Sequence, residues 1–174
     1  MEPSATIAER RLLIERTLVV LAGALWLGGL TFYAAIVIPL AHEVLGSHTT
    51  VGFITRRVTV WINLLAALAL LVFMINLRST RGFQARGLRK LVWITWGVMA
   101  VVQTGLFVLH PRLDRLLDVP AMEILQPTEF YSLHQFYLIG TTLQLPAGLL
   151  FLVGMLMIWR SQDQFQRAAV NRLQ

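Results

Sequence analysis

Residues 130–150, FYSLHQFYLIGTTLQLPAGLL, are largely apolar yet carry polar groups at helical spacing. His134, Tyr137, Thr141, Gln144 and Gly148 recur every three or four positions, so they share one face of a helix. From His134 to Trp159 the chain has no charged residue. That run exceeds the roughly 20 residues a helix needs to cross a bilayer. A polar stripe in such a segment turns toward protein or water and away from lipid.

Three more charge-free runs lie upstream, at 17–41, 58–77 and 91–109. Each carries few polar groups: Asn63 in the second and Gln103 in the third. Charged residues make up 14% of the chain and hydrophobic ones 56%, with a mean hydropathy of +0.66. A soluble domain carries about 25% charged residues. The class implied is all-α, an integral membrane four-helix bundle forming a single domain over 1–174, with spans at about 17–41, 58–77, 91–109 and 134–159. The first run is too long for the core of a signal peptide and lacks a small-residue cleavage site after it, so it is expected to remain as a helix. The net charge of +6 sits between apolar segments rather than on a soluble face, which excludes nucleic acid as the partner. Cysteine is absent, which excludes disulfides, thiolate metal sites and cysteine nucleophiles.

The connections set the orientation. Eleven of the 15 basic residues fall in the N-terminal lead, the 78–90 connection and the C-terminal tail. Only Arg56, Arg57, Arg112 and Arg115 fall in the other two. The positive-inside rule then places both termini in the cytoplasm of a cell with the chain in its inner (plasma) membrane, and four spans require that even parity. Pro39 and Pro111 are expected to bend or end their helices beside His42 and His110. In the outer connection, LDRLLD reads as a short amphipathic helix within 111–129, lying on the surface. Gly28 and Gly29 are expected to face another helix, where glycine admits close approach. Trp61, Trp93, Trp96 and Trp159 near span ends read as an aromatic belt.

In this orientation all four histidines fall at the outer end. Asn63, Gln103, Tyr137, Thr141 and Gln144 fall in the outer half, so the spacing predicts a polar pocket open outward above an apolar plug. His42, His110 and His134 come from three helix ends. Three neutral imidazoles with an open position suit copper or zinc, with Glu43 as a further ligand or supporting group. Two facing histidines suit haem, with Trp26, Phe107 and Phe136 against the macrocycle. The architectural alternative is that the histidines bond to loop carbonyls and the polar stripe makes interhelical hydrogen bonds that fix helix order. His134, heading the stripe, is expected to be the most buried histidine, and His48, placed mid-loop, to be exposed. No P-loop, GxSxG, HExxH or paired-carboxylate pattern is present.

Two stretches carry a family resemblance. Residues 25–40, LWLGGLTFYAAIVIPL, resemble the tryptophan-x-glycine-glycine first helix of small four-helix bacterial membrane proteins. Residues 130–144, FYSLHQFYLIGTTLQ, resemble the F-x-x-LH opening of their last helix. The chain thus resembles domain-of-unknown-function family 4149, and its first helix resembles that of copper-resistance D domains. The resemblance covers about a quarter of the chain and implies a four-helix inner-membrane fold, with His134 at the leucine-histidine position. Where those relatives often carry glycine after the histidine, this chain has Gln135.

The function expected is that of a non-enzymatic multi-pass membrane subunit or handling factor with an outward polar pocket, partnered by the lipid bilayer and by another membrane protein or a second copy. The alternative is a copper- or haem-binding membrane protein using His42, His110 and His134. A small transporter has the least support, since no span holds an acidic residue.

Overall fold

The computed structural model describes residues 3–80 and 86–171. The chain forms α1 (Pro3–Phe32), a π-helical segment (Tyr33–Val37), α2 (Ile38–Leu45), α3 (His48–Ser79), α4 (Arg86–Arg115), β1 (Leu117–Asp118), β2 (Glu123–Ile124) and α5 (Pro127–Asn171). Four helical stretches are long and apolar enough to cross a membrane: Glu9–Leu45, His48–Ser79, Arg86–Arg115 and Pro127–Ala169. The expected basic connection at 78–90 falls partly outside the described residues, as does Arg172.

The helices extend well past the apolar runs. The polar stretch 42–57 is not an extended connection, because helix occupies nearly all of it. Gly46 takes a left-handed conformation (φ 62°) and its N–H bonds back to His42 O at 3.0 Å, closing α2. Ser47 then caps α3, its Oγ accepting from Thr50 N at 3.3 Å. His48 is consequently the first residue of α3, not a mid-loop residue, and it is exposed.

Neither proline ends its helix. Pro39 has no N–H to continue the ladder. The helix absorbs this just upstream: the N–H of Ile38 reaches five residues back to Tyr33 O, and the widened turn accommodates the ring while helix resumes to Leu45. Pro111 does not end α4 at His110 either; the helix runs on to Arg115. Leu113 lies in that extra turn and is buried with Leu106 and Tyr137. An interior proline costs about 3 kcal/mol and a buried leucine returns about 2 kcal/mol, so packing offsets most of the loss.

The short amphipathic helix expected within 111–129 is therefore overturned. LDRLLD is divided between the last turn of α4 and β1. The chain then doubles back as a two-stranded antiparallel hairpin that pairs Leu117 with Ile124 and Asp118 with Glu123. Local chemistry favours the turn. Asp118 Oδ1 accepts from Ala121 N at 3.1 Å, Pro120 fixes its own φ, and Met122 adopts a positive φ of 54°.

The four long helices pack in a ring, each against its neighbours in chain order, with α5 closing against α1 and pairing most extensively with α4. α3 and α5 lie diagonally and meet through the core, where Phe73 stacks on Phe151 (centroids 4.5 Å apart, 17° between planes) with Trp26 tilted against Phe73. One apolar cluster runs from Trp26 and Ala66 to Val19, Leu77 and Ile158, and a smaller one beneath the hairpin joins Leu106, Leu113 and Tyr137. The first part of α1 and the last part of α5 lie together at one end of the bundle, where Arg16 grips Asp163 through two parallel bonds of 2.8 and 3.0 Å. The hairpin lies at the other.

The glycines that admit close approach are not the expected pair. Gly28 and Gly29 are exposed, with nothing near the place a Cβ would occupy. Close approach occurs instead at Gly23 on α1, where a Cβ would lie 2.9 Å from Leu152 Cδ1, and on α5, where a Cβ at Gly148 would lie 2.7 Å from Leu27 Cδ2 and one at Gly154 would lie 2.5 Å from Val92 Cγ2. Val92 is β-branched and stiff, so it cannot swing aside. Gly154→Ala should therefore destabilise the bundle by about 1–3 kcal/mol through overpacking. Gly28→Ala should be neutral or stabilise by up to about 1 kcal/mol through reduced backbone freedom. Unfolding of the purified protein in a detergent-denaturant series separates the two.

Candidate functional site: a buried amide and hydroxyl chain

The polar stripe of α5 turns into the bundle, with Tyr137, Gln144 and Gly148 buried. Helical spacing places Tyr137 and Gln144 two turns apart on the inward face. Asn63 from α3 and Gln103 from α4 arrive between them, each nearly fully buried.

These four side chains form one continuous chain. Gln144 Nε2 donates to Gln103 Oε1 at 2.8 Å. Gln103 Nε2 donates to Asn63 Oδ1 at 3.2 Å and also contacts Asn63 O at 3.4 Å. Asn63 Nδ2 donates to Tyr137 Oη at 2.7 Å. Thr141 stands apart: it is half-buried and its Oγ1 donates to its own helix at Tyr137 O (2.9 Å). Two surface cavities lie away from this layer, one around Gln126–Glu129 and the other around Arg16 and Arg167, and none of the five residues lines either. The arrangement is thus a packed polar layer across three helices. Buried amides carry a penalty unless paired, and here each amide donates to a neighbour in the layer.

The histidines do not converge. His42 lies beside His48 (ring centroids 4.5 Å) and its Nδ1–H donates to Ile38 O at 2.9 Å. His134 is half-buried and stacks on Phe130 with 9° between planes. His110 Nε2–H donates to Arg56 O at 3.4 Å, and its ring lies edge-on to Tyr137 at 6.3 Å. Among the described residues no group of three or more histidine and carboxylate side chains can hold a metal ion. The copper and zinc set of His42, His110 and His134 is therefore not assembled. Its three rings come from separate helix ends, and packing and backbone carbonyls hold each apart. Of the rings expected against a haem, Phe107 and Phe136 are exposed, whereas Trp26 is buried in the core against Phe73.

Sequence reasoning missed several polar groups. Asp114, in the turn beyond Pro111, sits 3.5 Å from Arg56 Nη1 and 3.7 Å from His110 Nδ1, joining α3 to α4 at the hairpin end. Trp159 is buried and donates to Asn76 Oδ1 at 3.2 Å, and Trp96 donates to Leu70 O at 2.9 Å. Of the four tryptophans expected in an aromatic belt, only Trp61 is exposed. Asn76 and Trp159 lie beyond the polar stripe, and no local spacing links them.

Comparison of the chain with protein-family models, with curated proteins and with solved structures finds no match.

The layer predicts strong coupling. Gln103→Leu strips partners from Gln144 Nε2 and Asn63 Oδ1 together, and should destabilise the protein by about 1–3 kcal/mol. Adding Gln144→Leu removes one stranded group, so the double variant should lose less than the sum of the singles by about 0.6–1.7 kcal/mol. A double-mutant cycle of unfolding free energies measures it, and strict additivity would show that the layer is energetically idle.

Proposed function

We propose that this chain is a non-enzymatic multi-pass membrane subunit or handling factor, inserted in the plasma membrane with both termini in the cytoplasm. The buried layer carries this reading. Its amides and hydroxyl bond to one another across three helices, which suits an architectural role better than a reactive one. The four long apolar helices and the basic N-terminal lead support insertion in this orientation. The resemblance to domain-of-unknown-function family 4149 points to the same class of small inner-membrane protein. For a partner, α1 and the π-helical segment after it offer an exposed strip of small residues, Ala24, Gly28, Thr31 and Ala35, at helical spacing. Small residues allow a further transmembrane helix to approach closely.

Because the chain has no cysteine, single-cysteine crosslinking gives a clean test. Gly28→Cys, oxidised in native membranes, should form an adduct of one discrete mass. Leu68→Cys, on an exposed face of α3, should not. Equal behaviour at the two positions would remove the docking face from the reading. A reporter inserted at Ser79 should be active only on the cytoplasmic side. The purified protein should lack a Soret band and stoichiometric copper or zinc; either one would replace this reading with a cofactor-binding one.

A further inference from the structure

At the end of the bundle where the first part of α1 meets the last part of α5, the groove between α1 and α5 widens into a cavity of about 380 Å³ lined by Arg16, Leu156, Trp159, Arg160, Asp163, Gln164 and Arg167. Three guanidinium groups meet one carboxylate there. Asp163 engages Nη1 and Nη2 of Arg16, holding that side chain rigid across the groove. The Arg16 guanidinium also sits 5.6 Å from the Trp159 ring, over its face. Its Nε is buried without a hydrogen-bond partner among the described residues. Arg160 and Arg167 are exposed on the α5 side, as is Gln164. The site therefore keeps excess positive charge on Arg160 and Arg167 and a neutral amide on Gln164, which are donors that a phosphate takes.

The surface beside it narrows the source of that phosphate. Leu149, Val153 and Leu156 precede Arg160 on the same face of α5 and are all about half exposed. An apolar strip running from a basic pocket toward the middle of the helix matches the two halves of a phospholipid, its acyl chains and its headgroup. We propose that this groove is a binding site for a phosphate-bearing ligand, held by Arg160 and Arg167 against the Arg16–Asp163 pair, with an anionic phospholipid as the source that the apolar strip favours. Basic pockets between helices on the cytoplasmic side bind such headgroups. The proposal rests on the membrane reading above and goes beyond it, since that reading requires no particular lipid.

The full chain is reconstituted into nanodiscs of phosphatidylcholine with a minor fraction of phosphatidylglycerol, and lipids retained after detergent release are counted by native mass spectrometry. The wild-type protein should retain phosphatidylglycerol in preference to phosphatidylcholine. The double variant R160Q/R167Q leaves the Arg16–Asp163 pair intact and should lower that retention by at least tenfold, since each basic residue near a surface contributes about fivefold. A control, R10Q/R11Q, makes the same charge change on the N-terminal lead and should retain the lipid as wild type does. Inorganic phosphate at tens of millimolar separates the two sources. Displacement of the lipid by phosphate, with loss of phosphate binding in R160Q/R167Q, identifies a free-phosphate site with the same chemistry. Lipid retained against phosphate identifies the headgroup. No preference for the anionic lipid together with no phosphate binding, or equal losses in the two double variants, overturns the site. A chain that fails to enter nanodiscs at all would overturn the membrane reading instead.

Discussion

Gln103 sits where three helices meet, and much of the bundle's arrangement follows from the two bonds its amide makes in opposite directions. Its oxygen accepts from Gln144 on α5 and its nitrogen donates to Asn63 on α3. Apolar side chains attract without direction, so helices packed by them alone can slide or rotate at little cost. An amide pair allows neither. Rotating α4 by one residue, about 100°, would carry Gln103 out of reach of both partners and leave several buried polar groups unpaired, each costing about 1–3 kcal/mol. Tyr137 extends the same constraint two turns up α5 from Gln144, since its hydroxyl accepts from Asn63 Nδ2. The layer thereby sets helix rotation and depth together, and the apolar clusters on either side fill in around it.

The two ends of the bundle are held by different chemistry. At the hairpin end Arg56 and Asp114 make a loose ion pair at 3.5 Å, with His110 Nδ1 3.7 Å from the same carboxylate. At the other end the Arg16–Asp163 pair is short and bidentate, braced by Trp159. Between them the interior carries uncharged polar groups only. This gradient follows the cost of desolvation: ionised groups stay where water reaches them, and amides, which tolerate burial when paired, occupy the middle.

The inward face of α5 was legible in the sequence because a polar stripe has only one low-energy direction in an apolar helix. His134, Tyr137, Thr141, Gln144 and Gly148 carried that signal, and so did the isolated Asn63 and Gln103. The span count was legible because a long charge-free run leaves a helix little alternative. Partners across the bundle were not legible, since Asn76 with Trp159 and Arg16 with Asp163 are joined by packing rather than by spacing. The glycines misled for a related reason. Gly28 and Gly29 have the small size that close packing uses, but size says nothing about which face a neighbour takes, and the neighbours lie at Gly23, Gly148 and Gly154. The prolines misled because local rules count the lost hydrogen bond but not the burial of Leu113 or the capacity of the turn at Tyr33–Val37 to widen. The histidines suggested a cluster because chain order places them all at one end; the structure gives His42, His110 and His134 different partners, Ile38 O, Arg56 O and the Phe130 ring.

The Arg16–Asp163 pair joins residues 147 positions apart, nearly the whole length of the chain. During synthesis Arg16 leaves the ribosome 147 residues ahead of Asp163. Until Asp163 follows, the arginine lacks this carboxylate, and an unpaired guanidinium is costly to bury in the groove beside Trp159. Only when α5 has formed does the pair close. A chain truncated before residue 163 leaves the charge unmatched and the groove beside Trp159 open, so the contact that joins α1 to α5 reports whether α5 has been laid against α1.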